Sequence, residues 1–424
     1  MKNHTEQPRI NIRCVVLCSL LLPFLSFCDS LELQEAIDAF DNSNYHVAFE
    51  KFSLLANQGD TMAQNFLGFM YITGKGVPIN SDTSLLWYRK AADQGCAHAE
   101  FSLGYEYFYG HGVGKSYDMA YHWYRKSADK GNSSAQNQLG FMYTKGIYVS
   151  QSYDSAFELY TKSADQGDAE AQYMVGQLYY AGQGVSQNYD SAYRWYLEAA
   201  AQGNADAQYC LGKMFDSGLS VHQNHADAVA WYRKAANLGS MEALIDPVDC
   251  YLNSKDTLKA IQTISDYLTD STIKINNFHR AELLSKKSNI DFGMGNYKGA
   301  IEAITEAIKF DSANADYYDS KGWYCFWSGN WKEAKSSLET ALKVDSTYKN
   351  TYYNLCDYYW AKEKNKKLAL SCLEKAVQWE LTDYEYKSLY DSTNDGHFLK
   401  GLNNTPEFKK ILFKKIDETV QPNK

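Results

Sequence analysis

Apolar residues along this chain fall in arcs of helical spacing, and the arcs come in pairs separated by glycines. In residues 168–203, Ala171, Val175 and Leu178 share one face and predict a first helix. Ala192, Trp195, Tyr196, Ala199 and Ala200 predict the inner stripe of a second. Between them Gly182-Gln183-Gly184 breaks the pattern, because glycine allows the backbone of a tight connection, and Val185 plugs the loop into the core. Asp190 is expected to open the second helix as an acceptor for its free N–H groups, with Asp82, Asp118 and Asp154 at the same place in sister stretches. Gly203 closes that helix as a C-terminal cap. Ala171, Gly176 and Ala200 let the two helices approach closely, and Trp195 and Tyr196 are expected to fill the gap to the next pair. The unit is a helical hairpin.

The hairpin recurs. Gly59, Gly95, Gly131, Gly167, Gly203 and Gly239 are each 36 residues apart, and so are Gly68, Gly104, Gly140, Gly176 and Gly212. A fixed period of this size marks stacked units that bury their apolar faces only against neighbours. The fold class that follows is all-α, an α/α superhelical solenoid of helical hairpins. Five repeats are expected over residues 60–239, after a capping hairpin at 31–59 in which Ala48, Phe52, Ala56 and Gly59 keep register. Residues 240–257 read as a partial repeat and linker, because Pro247 disfavours a helical residue before it. Residues 258–424 are helical with a shorter period: Gly295 and Gly329, Ala300 and Ala334, and Ala307 and Ala341 are each 34 apart. Asp357 stands where a small first-helix residue is expected. Thr405-Pro406-Glu407 starts a last helix whose stripe of Phe408, Ile411, Leu412 and Ile416 caps the array.

Ala171-Gln172-Tyr173, Gly176-Gln177-Leu178-Tyr179, Gly182-Gln183-Gly184-Val185 and the run from Trp195 to Gly203 resemble the Sel-one-like repeat, a relative of the tetratricopeptide repeat. The resemblance covers 60–239. Departures are Leu159 for the tryptophan, Tyr148 and Ser220 for the second loop glycine, and Ala226 for the aspartate. Gly322, Gly329, Ala334, Leu338 and Ala341 resemble the small-residue pattern of tetratricopeptide repeats. The resemblance to adaptor repeats implies a protein–protein interaction scaffold rather than an enzyme.

Charge and termini narrow the setting. A net charge of −9 repels a nucleic-acid backbone, which removes nucleic acid as a partner. Lys2, Arg9 and Arg13 precede an apolar run at 14–27 that ends in Asp29-Ser30, the layout of a secretory signal over 1–28. Leu25-Ser26-Phe27-Cys28 also resembles a lipobox, in which a lipid on Cys28 would be the one membrane tether. Export to an envelope compartment or beyond the cell is the expectation.

Candidate chemistry is thin. Gly110-His111-Gly112-Val113-Gly114-Lys115-Ser116 resembles a phosphate-binding loop, but it has one residue too few between its glycines and follows a helix, so it reads as the repeat's own loop. His222, His225 and Asp227 fall short of a metal set. Ser346-Thr347-Tyr348-Lys349 matches the S-x-x-K of penicillin-recognising enzymes, yet neither S-D-N nor K-T-G accompanies it. Cys356 and Cys372 could oppose each other across one hairpin, bonded or as two small core thiols. No catalytic residue, cofactor or metal is implied.

Function is expected on the first helices, which line one face of such an array. Phe101, Tyr105 and Phe108 fall at i, i+4, i+7, and Tyr173, Gln177 and Tyr180 repeat the trio, with Tyr209 completing the stripe beside Phe141. Trp323, Phe326, Trp327 and Tyr358 are expected to project similarly further on. The reading is a groove for a protein or peptide. The alternative is a protein that binds or hydrolyses cell-wall peptidoglycan or β-lactams.

Overall fold

A computed structural model describes residues 27–378, 402, 405–408, 410 and 411. Most of the expected signal segment, and Leu412 and Ile416 of the expected last helix, lie outside the described residues. The described residues are helical, without a β-strand. Two helices, α1 (Phe27–Asp41) and α2 (Tyr45–Gln58), come first. The 36-residue register then holds α3 (Thr61–Thr73), α4 (Ser81–Asp93), α5 (Ala97–Tyr109), α6 (Tyr117–Asp129), α7 (Ser133–Lys145), α8 (Tyr153–Ala164), α9 (Ala169–Ala181), α10 (Tyr189–Ala201), α11 (Ala205–Ser217) and α12 (His225–Asn237). A 3-10 turn at Glu242–Leu244 leads to α13 (Asp246–Asn253), α14 (Thr257–Thr269), α15 (Asn277–Gly293), α16 (Tyr297–Phe310), α17 (Ala315–Trp327), α18 (Trp331–Val344), α19 (Lys349–Ala361) and α20 (Lys366–Ala376).

The chain divides into two compact units, residues 1–231 and 232–424, with the boundary inside α12. In the first unit four hairpins close on the same contact. A Cβ added to Gly176 would lie 2.6 Å from the Tyr196 ring, and the same holds at 2.5 to 2.8 Å for Gly68 on Tyr88, Gly104 on Tyr124 and Gly140 on Tyr160. Only glycine lets the first helix rest on the tyrosine face. Those tyrosines are almost fully buried, at 0 to 2% exposure. Trp195 faces the other way from expectation: it packs against the core cluster that the preceding second helix, α8, makes with α9 of its own hairpin. So Tyr196 fills the hairpin, and Trp195 joins it to the one before.

Polar joints reinforce the stacking. Gln64 donates to the Ala56 carbonyl at the end of the preceding hairpin (3.1 Å) and accepts from Gln94 at the end of its own second helix (2.9 Å). Gln136 with Ala128 and Gln166, and Gln172 with Ala164 and Gln202, repeat the arrangement. Two hairpins depart from it: opposite Gln208, which still donates to the Ala200 carbonyl, the partner position is Leu238, and the hairpin of α5 and α6 exchanges both glutamines for charges. There Glu100, fully buried, meets Lys130 at 2.7 Å and Lys126 at 3.2 Å, and Lys130 also donates to the Gly95 carbonyl.

Two local expectations are corrected. The N-caps of the second helices are Asn80, Ser116, Ser152 and Asn188, whose side chains accept from N–H groups three residues on. Asp82, Asp118, Asp154 and Asp190 lie inside the first turn instead, where a negative charge still favours the helix dipole. Pro247 does not stop a helix; it stands at the start of α13, where its missing N–H costs nothing. Ala243, Leu244, Val248 and Cys250 around it are buried.

In the second unit α15–α16, α17–α18 and α19–α20 form successive hairpins. The start expected at Thr405 is present, with the Thr405 hydroxyl accepting from the Phe408 N–H, and Phe408 is buried against Cys356, Leu373 and Leu402. Cys356 and Cys372 are unbonded thiols in that cluster.

Candidate functional site

The stripe expected on the first helices lies on α5, α9 and α11. On α5, Phe101 and Tyr105 are half-buried. The Tyr105 ring is 4.5 Å from Tyr109 and 6.0 Å from the His111 imidazole, so aromatic rings continue past the end of the helix. Phe108 is 6% exposed, because Tyr117 and Phe141 close over it at 5.1 and 6.3 Å. It belongs to the core, not the stripe.

On α9, Tyr173 and Tyr180 are half-buried. Gln177 Nε2 lies 2.9 Å from the Tyr173 hydroxyl oxygen and 3.2 Å from Cys210 Sγ on α11, donating toward both and tying the two helices together. Tyr209 on α11 is half-buried, with Lys213 Nζ 5.3 Å from its ring centroid. Between the groups, α7 presents Asn137, whose amide donates to Asp168 at 3.4 Å. The stripe is thus aromatic on α5 and on α9–α11 and polar between them.

Burial pushes the Tyr105 hydroxyl up to about 12, with negative charge on Tyr109 and Glu106 adding, and raises Tyr173 and Tyr180 for the same first reason. These phenols stay protonated at neutral pH and can both donate and accept. The thiols are inert by the same effect: burial takes Cys210 to about 12 and Cys325 and Cys372 to about 11, far from a reactive thiolate.

The second unit's four aromatics form one packed cluster. Trp323 stacks on Phe326 at 5.5 Å with 3° between planes, and Trp327 meets Trp323 edge-on at 5.8 Å. Phe326 and Tyr358 are 1% and 5% exposed, so they are core residues that do not project. Only Trp323 and Trp327 of this group reach the surface, each half-buried.

The decoys separate. Gly110 and Gly112 hold positive φ values of 81° and 68° in the inter-helix loop, and Gly112 sits against Ser81 at the start of α4. His222 is exposed, His225 pairs with Asp216 at 2.8 Å, and Asp227 accepts from Asn224, so the three are not brought together. Ser346 lies in an exposed turn before α19.

Two features escaped the sequence reading. Glu106 on α5 is 4% exposed, and its Oε2 accepts no hydrogen bond, with His111 Nδ1 3.5 Å away. A cavity of about 170 Å³ opens between α6, α7 and α8 beside Leu159. Both sit at positions where one repeat departs from the others, which is the signal that would have found them.

Comparison with known proteins accounts for the architecture. The Sel1 repeat matches at residues 61–96, 97–132, 133–168, 169–204 and 205–240, and again at 351–378, within the region expected to follow the tetratricopeptide pattern. No curated protein sequence matches the chain. A protective antigen of uropathogenic Escherichia coli displaying an SLR fold is 23% identical, covering 93% of this chain and 88% of its own, with a TM-score of 0.62. A Sel1 repeat protein from Oxalobacter formigenes is 29% identical over 54% of this chain and 93% of its own, with a TM-score of 0.50. Repeat by repeat and in its paired helices, the chain belongs to the Sel1-repeat family.

Proposed function

We propose that the protein is an exported interaction scaffold that holds a protein or an extended peptide on the aromatic stripe of its first helices. One contrast carries the reading. Tyr88, Tyr124, Tyr160, Tyr196 and Tyr232 are buried in every repeat, whereas the position of Tyr173 reads Asn65, Phe101, Asn137, Tyr173 and Tyr209. Packing demands the first set. The second set varies at a fixed geometric place and remains half-exposed from Phe101 onward, as a surface that reads an irregular partner would. Tyrosines suit it, since they offer large contact area at low entropic cost together with a hydroxyl. The basic segment and apolar run before α1 support export.

The test is a double substitution. Tyr173→Ala with Tyr180→Ala is expected to weaken the partner crosslinked in the native envelope by about 2 kcal/mol or more, with little change in the urea midpoint. Unfolding of the variant with no partner lost would overturn the reading. Intact-mass measurement of protein from its native host is expected to show residues 1–28 removed, or a lipid-bearing N-terminus at Cys28. An unprocessed Met1 on soluble cytoplasmic protein would overturn export.

A further inference from the structure

The cavity beside Leu159 has the place and surroundings of a missing side chain. The other four repeats carry tryptophan there: Trp87, Trp123, Trp195 and Trp231. Trp123 packs against a core cluster that includes Ala92 and Leu103, and Trp195 against one that includes Ala164 and Val175. Thirty-six residues away, the equivalents of those pairs around Leu159 are Ala128 and Leu139, and both line the cavity. Leu159 itself packs on this cluster but leaves the volume open. The lining is mixed: Ala128, Leu139, Leu159 and the Tyr143 ring supply apolar surface, and Gln136, Ser155 and the charged side chains of α6 and α8 supply the rest. A volume of ~150 Å³ is enough to take up a benzene ring.

A cation is already in position. Lys90 Nζ lies 4.2 Å from the Trp87 ring centroid and Lys126 Nζ lies 5.0 Å from that of Trp123, each three residues beyond its tryptophan. Lys162 stands three residues beyond Leu159 and lines the cavity, with no ring of its own to cover. The charges at the mouth are matched within their own helices: Lys162 with Glu158 at 2.6 Å, and Arg125 with Asp129 at 3.0 Å. A free amino acid would bring an ammonium and a carboxylate that find no unmatched charge, whereas a residue inside a polypeptide brings neither.

We propose that the gap between α6, α7 and α8 at Leu159 is a receptor for the indole ring of a tryptophan in a partner polypeptide, seated under the Lys162 ammonium. This site faces the seam between hairpins and is separate from the tyrosine stripe of α9 and α11, so either can fail without the other.

Fluorine NMR of a ring-fluorinated N-acetyltryptophanamide, titrated with the full-length protein, tests it. The probe is expected to bind in a saturable one-to-one manner. Leu159→Trp fills the gap with the family's own side chain and is expected to abolish binding while raising the melting temperature; Leu159→Phe, a smaller filler, is expected to weaken it should the first variant not fold. Lys162→Met is expected to weaken binding about threefold through loss of the cation over the ring. Tyr173→Ala with Tyr180→Ala is expected to leave probe binding unchanged. No binding to the wild-type chain, equal binding to Leu159→Trp, or competition by N-acetylleucinamide as strong as by the unlabelled indole compound would each overturn the proposal. Stronger binding of free tryptophan than of its blocked form would overturn the assignment to a polypeptide.

Discussion

Glu106 occupies the α5 position that Met70, Met142, Leu178 and Met214 hold in the other repeats. Burial raises its carboxyl from 4.5 to about 7. Such a group holds its proton more tightly when folded than when unfolded. It costs nothing below about pH 4.5, the cost grows as pH rises toward 7, and above that it is complete. Glu106→Met is therefore expected to raise stability by up to about 3 kcal/mol at pH 8, an advantage that shrinks toward pH 5. Urea melts at the two pH values check this; a pH-independent difference would mean that Glu106 does not titrate in this range. Asp357, taken to about 7 by burial, acts in the same direction in the second unit. The sequence exposed Asp357 because it breaks a small-residue pattern. It exposed Glu106 only on comparison of repeats position by position, since a lone glutamate in a helix usually faces water.

Among the helices, ends carry more information than middles. Four first helices are capped by Asp60, Asn132, Asp168 and Asn204, each accepting from the third N–H. Cys96 holds the same place on α5 and makes no side-chain cap. Cys96→Asn is expected to stabilise the protein by about 1 kcal/mol, seen as a higher urea midpoint; no gain would mean that Cys96 packing outweighs the cap. The hairpins themselves were legible because glycine, alanine and tyrosine recur at fixed offsets, and Gly176 resting on Tyr196 is the physical reason they must. The caps were misplaced by two residues because Asp190 and Asn188 are both good acceptors, and sequence alone does not say which has left helical backbone. Pro247 misled in a similar way, since proline ends one helix and begins another with equal ease.

Over the whole array, the repeat period fixed the architecture, while the exposure of particular side chains depended on neighbours that are far away in sequence. Phe108, Phe326 and Tyr358 have the spacing of surface aromatics and are buried, with Phe141 on α7 closing over Phe108 and Trp331 on α18 meeting Phe326. The joints show how the hairpins depend on one another. Lys130→Gln leaves the buried Glu100 with Lys126 alone, and is expected to cost about 1 to 2 kcal/mol, held down because Lys130 is itself one-third exposed. Adding Glu100→Gln recreates the pair used by the neighbouring hairpins and is expected to restore most of the loss in a double-mutant cycle of urea melts. Additive losses would show that the two residues act separately. The same substitution pattern bears on how the chain avoids errors while it folds. In a chain of near-copies, a first helix can pair with the second helix of the wrong repeat, and where glutamine meets glutamine the mistake goes unnoticed. A mistake that separates α5 from α6 would leave the Glu100 carboxylate buried without Lys126 and Lys130, a cost that the glutamine joints do not carry, so this hairpin disfavours a foreign partner.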